Sequence, residues 1–496
     1  MTTSEISDLS LVEMVRLLRS RHLSATEALR AHLDRIDEVN PLVNAICTVD
    51  VDGATRAAAA ADALAASGAP LPPLHGVPMT HKDTHDTAGL RTTLGSPLFA
   101  HRVPTADAPI IASLRAAGVV TTGKSNTPEL AAGSHTFNPL FGTTTNPYHP
   151  SRSAGGSSGG VASAIAAGIQ PAGDASDMGG SIRTPASFCN LVGLRPSAGV
   201  VPLGGADPWA WISRKGAMAR TVANLRLMMS VIGGPHPASA LSAPAPVAVP
   251  AGVHEGSLAG LRVGFTLDFG IGVPVEGGVL EVVEAQAELL ASLGAEVTEA
   301  CPDLRDADEV FQTTRAYDFA TGYGDLYLHH HDELKPALQW NLRKGMEITA
   351  DELRSAASAR ARLRRSTNAF FDSYDLLVAP SVQVAPFEAS LEFPPEVSGV
   401  AMETYLDWMR AATLISATGL PAMSVPAGFD ADGLPVGLQL VGPDGSDDLL
   451  LAVAAVYEEA NPQHLRRPSL DAFTVGAAAG SAPGSGVLAS ASPVTP

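Results

Sequence analysis

Asp177-Met-Gly-Gly-Ser181-Ile-Arg183-Thr-Pro-Ala186 follows a second glycine–serine stretch, Arg152-Ser-Ala-Gly-Gly-Ser157-Ser158-Gly-Gly160. In the first, Gly179 and Gly180 let the backbone approach a ligand closely, and consecutive N–H groups can converge on one oxyanion. On its own, Gly-Gly-Ser is an ordinary turn; its meaning comes from its company. In the second, Gly155-Gly-Ser157-Ser-Gly159 fits the G-x-S-x-G elbow that lifts a nucleophilic serine above a sheet. That elbow must follow a central strand, and two prolines interrupt Asn146–Ser153. Val161–Gly168 reads instead as a helix that the loop enters. A glycine-rich turn at a helix N-terminus presents backbone N–H groups, which suits catalysis better than linkage.

Upstream, Gly118-Val-Val-Thr-Thr-Gly-Lys124-Ser125 matches the phosphate-loop pattern letter for letter. That loop needs a buried strand before its first glycine and a helix opening at the Lys-Ser pair. Here Ile110–Ala117 has a helical pattern, and the strand-forming Val119 and Val120 fall inside the supposed loop. Pro128 is compatible with a helix starting only after Asn126. The match is read as fortuitous, and no nucleotide is expected.

Two capping boxes, Ser10-x-x-Glu13 and Ser24-x-x-Glu27, open predicted helices over Leu11–Leu18 and from Ser24 to about Val39. Arg56–Ser67 is Ala-rich and helical in pattern. From Leu74 to Gly234, short apolar runs such as Gly118–Thr122 alternate with Gly, Ser, Thr and Pro clusters, the texture of an α/β core with functional loops. Pro235–Pro250, with five prolines, reads as a surface excursion. Leu261–Leu267 reads as a strand, and Val279–Leu293 as a helix stopped by Gly294. Ala422–Pro426 and Val436–Val441 form a strand pair turning at Asp430–Gly433. Gly476–Pro496 contains only Gly, Ala, Ser, Pro, Thr, Val and Leu, and its composition predicts disorder.

The 496 residues are 45% apolar and 17% charged, enough for a large core. With 32 Lys and Arg against 51 Asp and Glu, the formal charge is −19, which argues against a nucleic-acid partner. Cys47, Cys189 and Cys301 form no C-x-x-C pair and are odd in number, so neither a disulfide framework nor a zinc knuckle is expected. Met1–Ser10 shows no basic, apolar leader, and no apolar run approaches the ~18 residues of a membrane span. The expectation is a soluble, cytoplasmic, globular protein.

Seven pieces in a fixed order carry a resemblance to the amidase signature family of serine hydrolases, extending to about residue 470. They are Gly76-Val-Pro-Met-Thr-His-Lys82-Asp83, Gly123-Lys-Ser-Asn-Thr-Pro-Glu129, the two serine stretches, Gly193-Leu-Arg-Pro, Gly216-Ala-Met-Ala-Arg-Thr-Val222, and Gly419-Leu-Pro-Ala with Gly433–Gly442. The phosphate-loop lookalike is one of them. The resemblance implies an α/β fold with one large domain, here residues 1–475, built on a mixed central β-sheet covered by α-helices. It also implies a Ser–Ser–Lys machine: Ser181 as nucleophile, Ser157 as a bridging serine on a cis peptide, and Lys82 as base. A serine is a weak nucleophile until a base takes its proton, and a lysine becomes a base only when burial lowers its pKa from about 10.4. Ser157, donor and acceptor together, can pass the proton between them. The backbone N–H groups of Met178, Gly179, Gly180 and Ser181 match the oxyanion hole, and Ser158 matches a serine that hydrogen-bonds the lysine. No metal and no cofactor is implied.

Other residues admit plainer readings. Asp177 and Arg183 read as an ion pair holding the nucleophile loop. His81, where the family usually has an apolar residue, reads as a packed or loop histidine. His329-His-His331 beside Asp332 and Glu333 reads as a solvated loop, because adjacent histidines point in different directions. Met178 replaces the commoner threonine, but only its backbone N–H is needed. Three function classes are weighed: a free-standing amidase acting on a small amide, the glutaminase subunit of a tRNA-dependent amidotransferase, and a catalytically silent binding relative. The glutaminase subunit usually carries Arg-Tyr-Gly and Asp-Gln-x-Gly segments, where this chain reads Val200-Val-Pro-Leu-Gly-Gly and later Gly216-Ala-Met. Gly133, Ser134, Phe137, Phe141, Trp209 and Trp211 are candidate pocket walls. Aryl or alkyl amides are expected substrates, with esters and carbamates, including urethanes, chemically accessible. A homodimer is left open.

Overall fold

The computed structural model describes residues 1–470 except Ala206 and Ala238; the tail expected to be disordered, Gly476–Pro496, lies outside the described residues. Its architecture rests on two sheets, whose strands we number in chain order. The smaller holds β1 (Ile46–Val49), β2 (Pro78–Lys82) and β3 (Val120–Ser125) in the order β1-β3-β2, with β2 parallel and β1 antiparallel to β3. The larger holds β4 (Ala172–Asp177), β5 (Val192–Arg195), β6 (Arg214–Ala219), β7 (Arg262–Phe265), β8 (Glu296–Glu299), β9 (Leu376–Pro380), β10 (Ala422–Phe429) and β11 (Pro435–Val441).

Spatially these eight strands run β8-β7-β9-β11-β10-β5-β6-β4. The β8-β7-β9 edge is parallel and the rest antiparallel, so the sheet is mixed, as the resemblance implies. Every residue of β9 and β11 is buried, which is how strands covered on both faces read. One face carries Val222–Ile232, Gly277–Ser292 and Asp447–Ala460, with Leu194, Val378, Met423 and Leu440 in their core. The other core joins Phe188, Trp408 and Ile415 to Ala307–His330 and Ala350–Ser373. Among the described residues no helix is long and apolar enough to cross a membrane.

Local chemistry explains the element boundaries. Ser10 caps Leu11–Arg19 by accepting the Glu13 N–H at 3.1 Å, and Ser24 opens Ala25–Val43 with a complete capping box. The second helix runs past the expected end at Val39, to a left-handed Asn44 at φ 51°. Asp50 caps Val51–Ser67, so that helix starts before Arg56. Lys124 and Ser125 lie on β3 and not at a helix start; a short 3-10 turn over Glu129–Ala131 stands where a helix after Asn126 was compatible. Lys124 Nζ donates to the His85 carbonyl at 2.5 Å and to Thr87 Oγ1 at 2.9 Å, so it ties loops together.

Candidate active site

β2 is buried throughout and delivers Lys82, fully buried, from the small sheet; β4 delivers Ser176 and Asp177 from the edge of the large one. Between them, the glycine–serine loop enters the helix Gly159–Ala166. The Lys82 ammonium donates to Ser157 Oγ at 2.8 Å, Ser158 Oγ at 2.9 Å and Ser176 Oγ at 3.0 Å. Ser158 occupies the N-cap position but makes no side-chain cap bond, so its hydroxyl serves the lysine and not the helix. The Gly156–Ser157 peptide is cis, as expected. Thr127 Oγ1 donates to the Ser157 carbonyl at 3.1 Å. A Cβ on Gly156 would lie 3.0 Å from the His135 nitrogen, so this loop seats backbone against backbone.

No carboxylate lies within ion-pair distance of Lys82 among the described residues. Burial, seconded by the nearby Lys215 cation, pushes Lys82 far below the usual lysine value, against the pull of Asp177 and Asp174. The positive end of the helix Gly159–Ala166 disfavours a second positive charge there as well. An amine so placed is available to accept a proton.

Asp177 and Arg183 form the expected ion pair. Arg183 Nη2 and Nε each lie 3.0 Å from the carboxylate, and both residues are buried. Burial opposes the Asp177 charge, but Arg183 and Arg195 hold its pKa well below the usual carboxylate range. Its oxygens also receive the Gly180 N–H at 2.8 Å and the Ile182 N–H at 3.2 Å, which shapes the turn around Ser181. The Gly180 donor is therefore committed to Asp177. Of the four N–H groups expected to be free, those of Met178, Gly179 and Ser181 have no intramolecular partner among the described residues. Ser181 and Ser157 line the same cavity of about 390 Å³. The Ser181 hydroxyl makes no protein hydrogen bond among the described residues and faces that space.

His81 points away from this cavity: Nδ1 lies 2.7 Å from Asp174 Oδ1, and Nε2 3.1 Å from Thr121 Oγ1. His85 Nδ1 meets Asp174 Oδ2 at 2.6 Å, and the Lys82 backbone N–H donates to the same oxygen at 3.2 Å. Burial works against the Asp174 charge, but the two histidines outweigh it and hold its pKa well below normal.

Few of the expected pocket-wall residues border this cavity. Gly133 lines the cavity, but Ser134, Phe137, Phe141, Trp209 and Trp211 do not. Ser134 Oγ accepts the Trp408 indole N–H at 3.1 Å, and Phe137 packs on His135. Arg91 covers Phe141, and Arg360 lies 3.5 Å over the Trp211 ring. Trp209 is 66% exposed. The apolar wall comes instead from Leu130, Met178, Phe311, Phe319, Leu406 and Met409. Arg315, buried against Asn341 and Tyr405, also reaches it. Sequence reasoning missed the Ala307–His330 helix, which supplies Phe311, Arg315 and Phe319, and it missed Ser176 and Lys215. Ser176 directly precedes the Asp177 motif, and Lys215 directly precedes Gly216-Ala-Met, so adjacency was the available signal. The triple histidine sits at a helix end, with His330 Nδ1 2.8 Å from Glu333 on the surface. Among the described residues no group of three His, Cys, Asp or Glu could hold a metal ion.

A family model described as Amidase matches residues 27–451. An acylamidase of Rhodococcus erythropolis is 35% identical over 476 residues, 95% of this chain and 99% of its own. A subunit of the glutamyl-tRNA(Gln) amidotransferase of Thermosynechococcus vestitus is 33% identical over 484 residues, covering 92% and 99%. The crystal structure of a bacterial aryl acylamidase of the amidase signature enzymes superposes with a TM-score of 0.87 at 26% identity, over 94% of this chain and 98% of that one.

Proposed function

The chain belongs to the amidase signature family, hydrolases of the amide carbon–nitrogen bond, and from that premise we propose that it cleaves an aryl or alkyl amide through a Ser181 acyl-enzyme. The observation that carries this reading is a fully buried lysine amino group bonded to three serine hydroxyls, with no carboxylate in contact among the described residues. Neutral Lys82 takes the proton of Ser157, which takes that of Ser181 as its oxygen attacks the substrate carbonyl. The N–H groups of Met178, Gly179 and Ser181 meet the oxyanion, and Gly180 supplies the turn that aims them. The proton returns through Ser157 to the departing amine, and water then releases the acyl group by the same relay. Asp177 and Arg183 hold the loop, and Ser158 and Ser176 hold the lysine.

The aliphatic and aromatic wall of the cavity supports an apolar acyl or amine group on the substrate. Esters and urethanes pass through the same acyl-enzyme chemistry, so a panel of anilide, aliphatic amide, carbamate and ester substrates ranks the preferences. Identity to the amidotransferase relative supports a second reading, glutamine hydrolysis within a complex. Glutaminase activity, together with a co-purifying partner, would favour it.

Fluorophosphonate labelling with peptide mass mapping tests the nucleophile. The adduct is expected on Ser181. An adduct on Ser157 overturns the assignment in favour of the elbow, and no adduct on a folded protein favours a silent relative.

A further inference from the structure

Lys215 is a charged group of the cavity wall that the mechanism leaves unused. It lies on β6, where it is the register partner of Ser176 on β4. Directly opposed residues of an antiparallel pair project from the same face. Lys215 therefore stands beside the serine whose hydroxyl is 3.0 Å from Lys82 Nζ, and it lines the same cavity. Among the described residues its ammonium has no carboxylate within ion-pair distance.

The nearby anions are already committed. Asp177 is engaged by Arg183 and Arg195, and Asp174 by His81 and His85. Lys124, on β3, also acts on Lys215 but is anchored on the His85 carbonyl and Thr87. His85 itself is pushed by burial down to about 3, so it adds no positive charge near neutral pH. Arg214, Arg315, Asp207 and Asp318 also line the cavity, and burial raises Asp318 to about 7, but Lys215 is the cation set beside Ser176 that bears on Lys82. We propose that Lys215 is a positioning residue whose unpaired positive charge in the cavity wall keeps Lys82 in the neutral form that can accept the serine proton. The inference rests on Lys82 being the base.

Burial also pushes Lys215 down, to about 8, with Asp174 and Asp86 pulling the other way. Its charge thus acts at neutral and acid pH and fades above that. Removing it strengthens the hold of Lys82 on a proton in the acid range only, and the acid limb of the activity profile moves to higher pH.

The test measures kcat/KM for a neutral anilide from pH 5.5 to 9.5 in wild type, Lys215→Met, Lys215→Gln and Lys215→Arg, with Lys82→Ala and Ser181→Ala beside them. Both neutral variants are expected to lose about tenfold at pH 6, equivalent to roughly one pH unit, and to converge with wild type within about twofold at pH 9.5. The arginine variant, which keeps the charge, is expected to retain the wild-type acid limb. The rate of Ser181 labelling by a fluorophosphonate across the same pH range gives the limb independently of leaving-group chemistry. Unmoved limbs in folded Lys215→Met and Lys215→Gln overturn the inference, as does an equal shift in Lys215→Arg. A pH-independent rise in KM alone would make Lys215 a substrate contact instead. Should one neutral variant fail to fold, the other, with the arginine variant, decides. Lys82→Ala retaining full anilide turnover would sink the base assignment itself. An inactive Lys82→Ala with unmoved Lys215 limbs sinks only the present inference.

Discussion

At Gly180 the backbone sits at φ +114°, and an added Cβ would lie 2.7 Å from Ala412 Cβ and 2.8 Å from Thr184 Oγ1. Both the left-handed conformation and the space exclude a side chain, so Gly180→Ala must displace the turn whose N–H groups face the cavity. We expect a fall in kcat of about 10²–10³-fold, the scale of losing an oxyanion donor, with KM little changed and the melting temperature lowered by the strain at this position. An unchanged kcat would show that these N–H groups do not meet the developing charge. Lys82→Ala probes the other half of the relay. An amine departs poorly unless protonated, whereas p-nitrophenolate leaves unaided, so the variant should lose more activity on an anilide than on the matched ester. The excess should lie within the ~10²–10⁴-fold of a general acid–base duty, read as kcat/KM on both substrates. Equal losses would remove Lys82 from leaving-group protonation. Lys82, Ser157 and Ser181 were legible because their motifs fix type and spacing at once. Lys215 was not, because its meaning arises only from the register that sets it against Ser176.

β4 reads Ala-Gly-Asp-Ala-Ser-Asp, without the β-branched and aromatic residues that signal a strand, so nothing in its composition announces one. Its polar side chains, Asp174 and Asp177 buried and Ser176 half-buried, are spent on neighbours: Asp174 on β2 and its following loop, Ser176 on Lys82, Asp177 on the nucleophile turn. Ala307–His330 escaped notice for a related reason, since its buried face, Val310, Phe311, Ala316 and Phe319, also includes Arg315. The capped helices were legible because Ser10 and Ser24 act through bonds three residues long. Asp174 links the two sheets, beside the Lys82–Ser176 bond, and its removal should be felt at element scale. Asp174→Ala leaves the buried Nδ1 positions of His81 and His85 and the Lys82 N–H without their acceptor. The cost is expected to be on the order of 3 kcal/mol in urea unfolding, with activity falling as β2 loosens its hold on Lys82. Wild-type stability in that variant would mean that the bonds to Asp174 do not hold the sheets together.

Across the whole molecule, three histidines are packed far apart and held neutral: His32 in the helix Ala25–Val43, His85 behind the site, and His135 beside the serine loop. Burial pushes their pKa values down to about 4, 3 and 4. None was readable from the sequence, where each is a lone histidine; neutrality follows from long-range partners such as Ile169 and Thr122 for His32. A folded-state pKa below the unfolded value of about 6.5 means that the unfolded chain binds more protons between the two. The associated stability is present above pH 6.5 and is lost as pH falls from there toward 4. Glu458 and Asp318, both raised by burial to about 7, act in the opposite direction over much of this range, so the net slope of the wild type does not isolate the histidines. A difference between two proteins does. His32 Nδ1 faces the Ile169 carbonyl at 2.9 Å, which only accepts, so Nδ1 carries the hydrogen and Nε2 accepts from Thr122 at 2.8 Å. His32→Gln keeps a donor and an acceptor but cannot titrate. It should be less stable than wild type at pH 7 through imperfect packing, yet lose less between pH 7 and pH 5, by about 2 kcal/mol. Paired urea unfolding at the two pH values reads this difference, in which the contributions of Glu458, Asp318 and the other histidines cancel. Parallel losses in the two proteins would mean that His32 titrates at its ordinary value, and that water reaches the layer between the first helices and the small sheet.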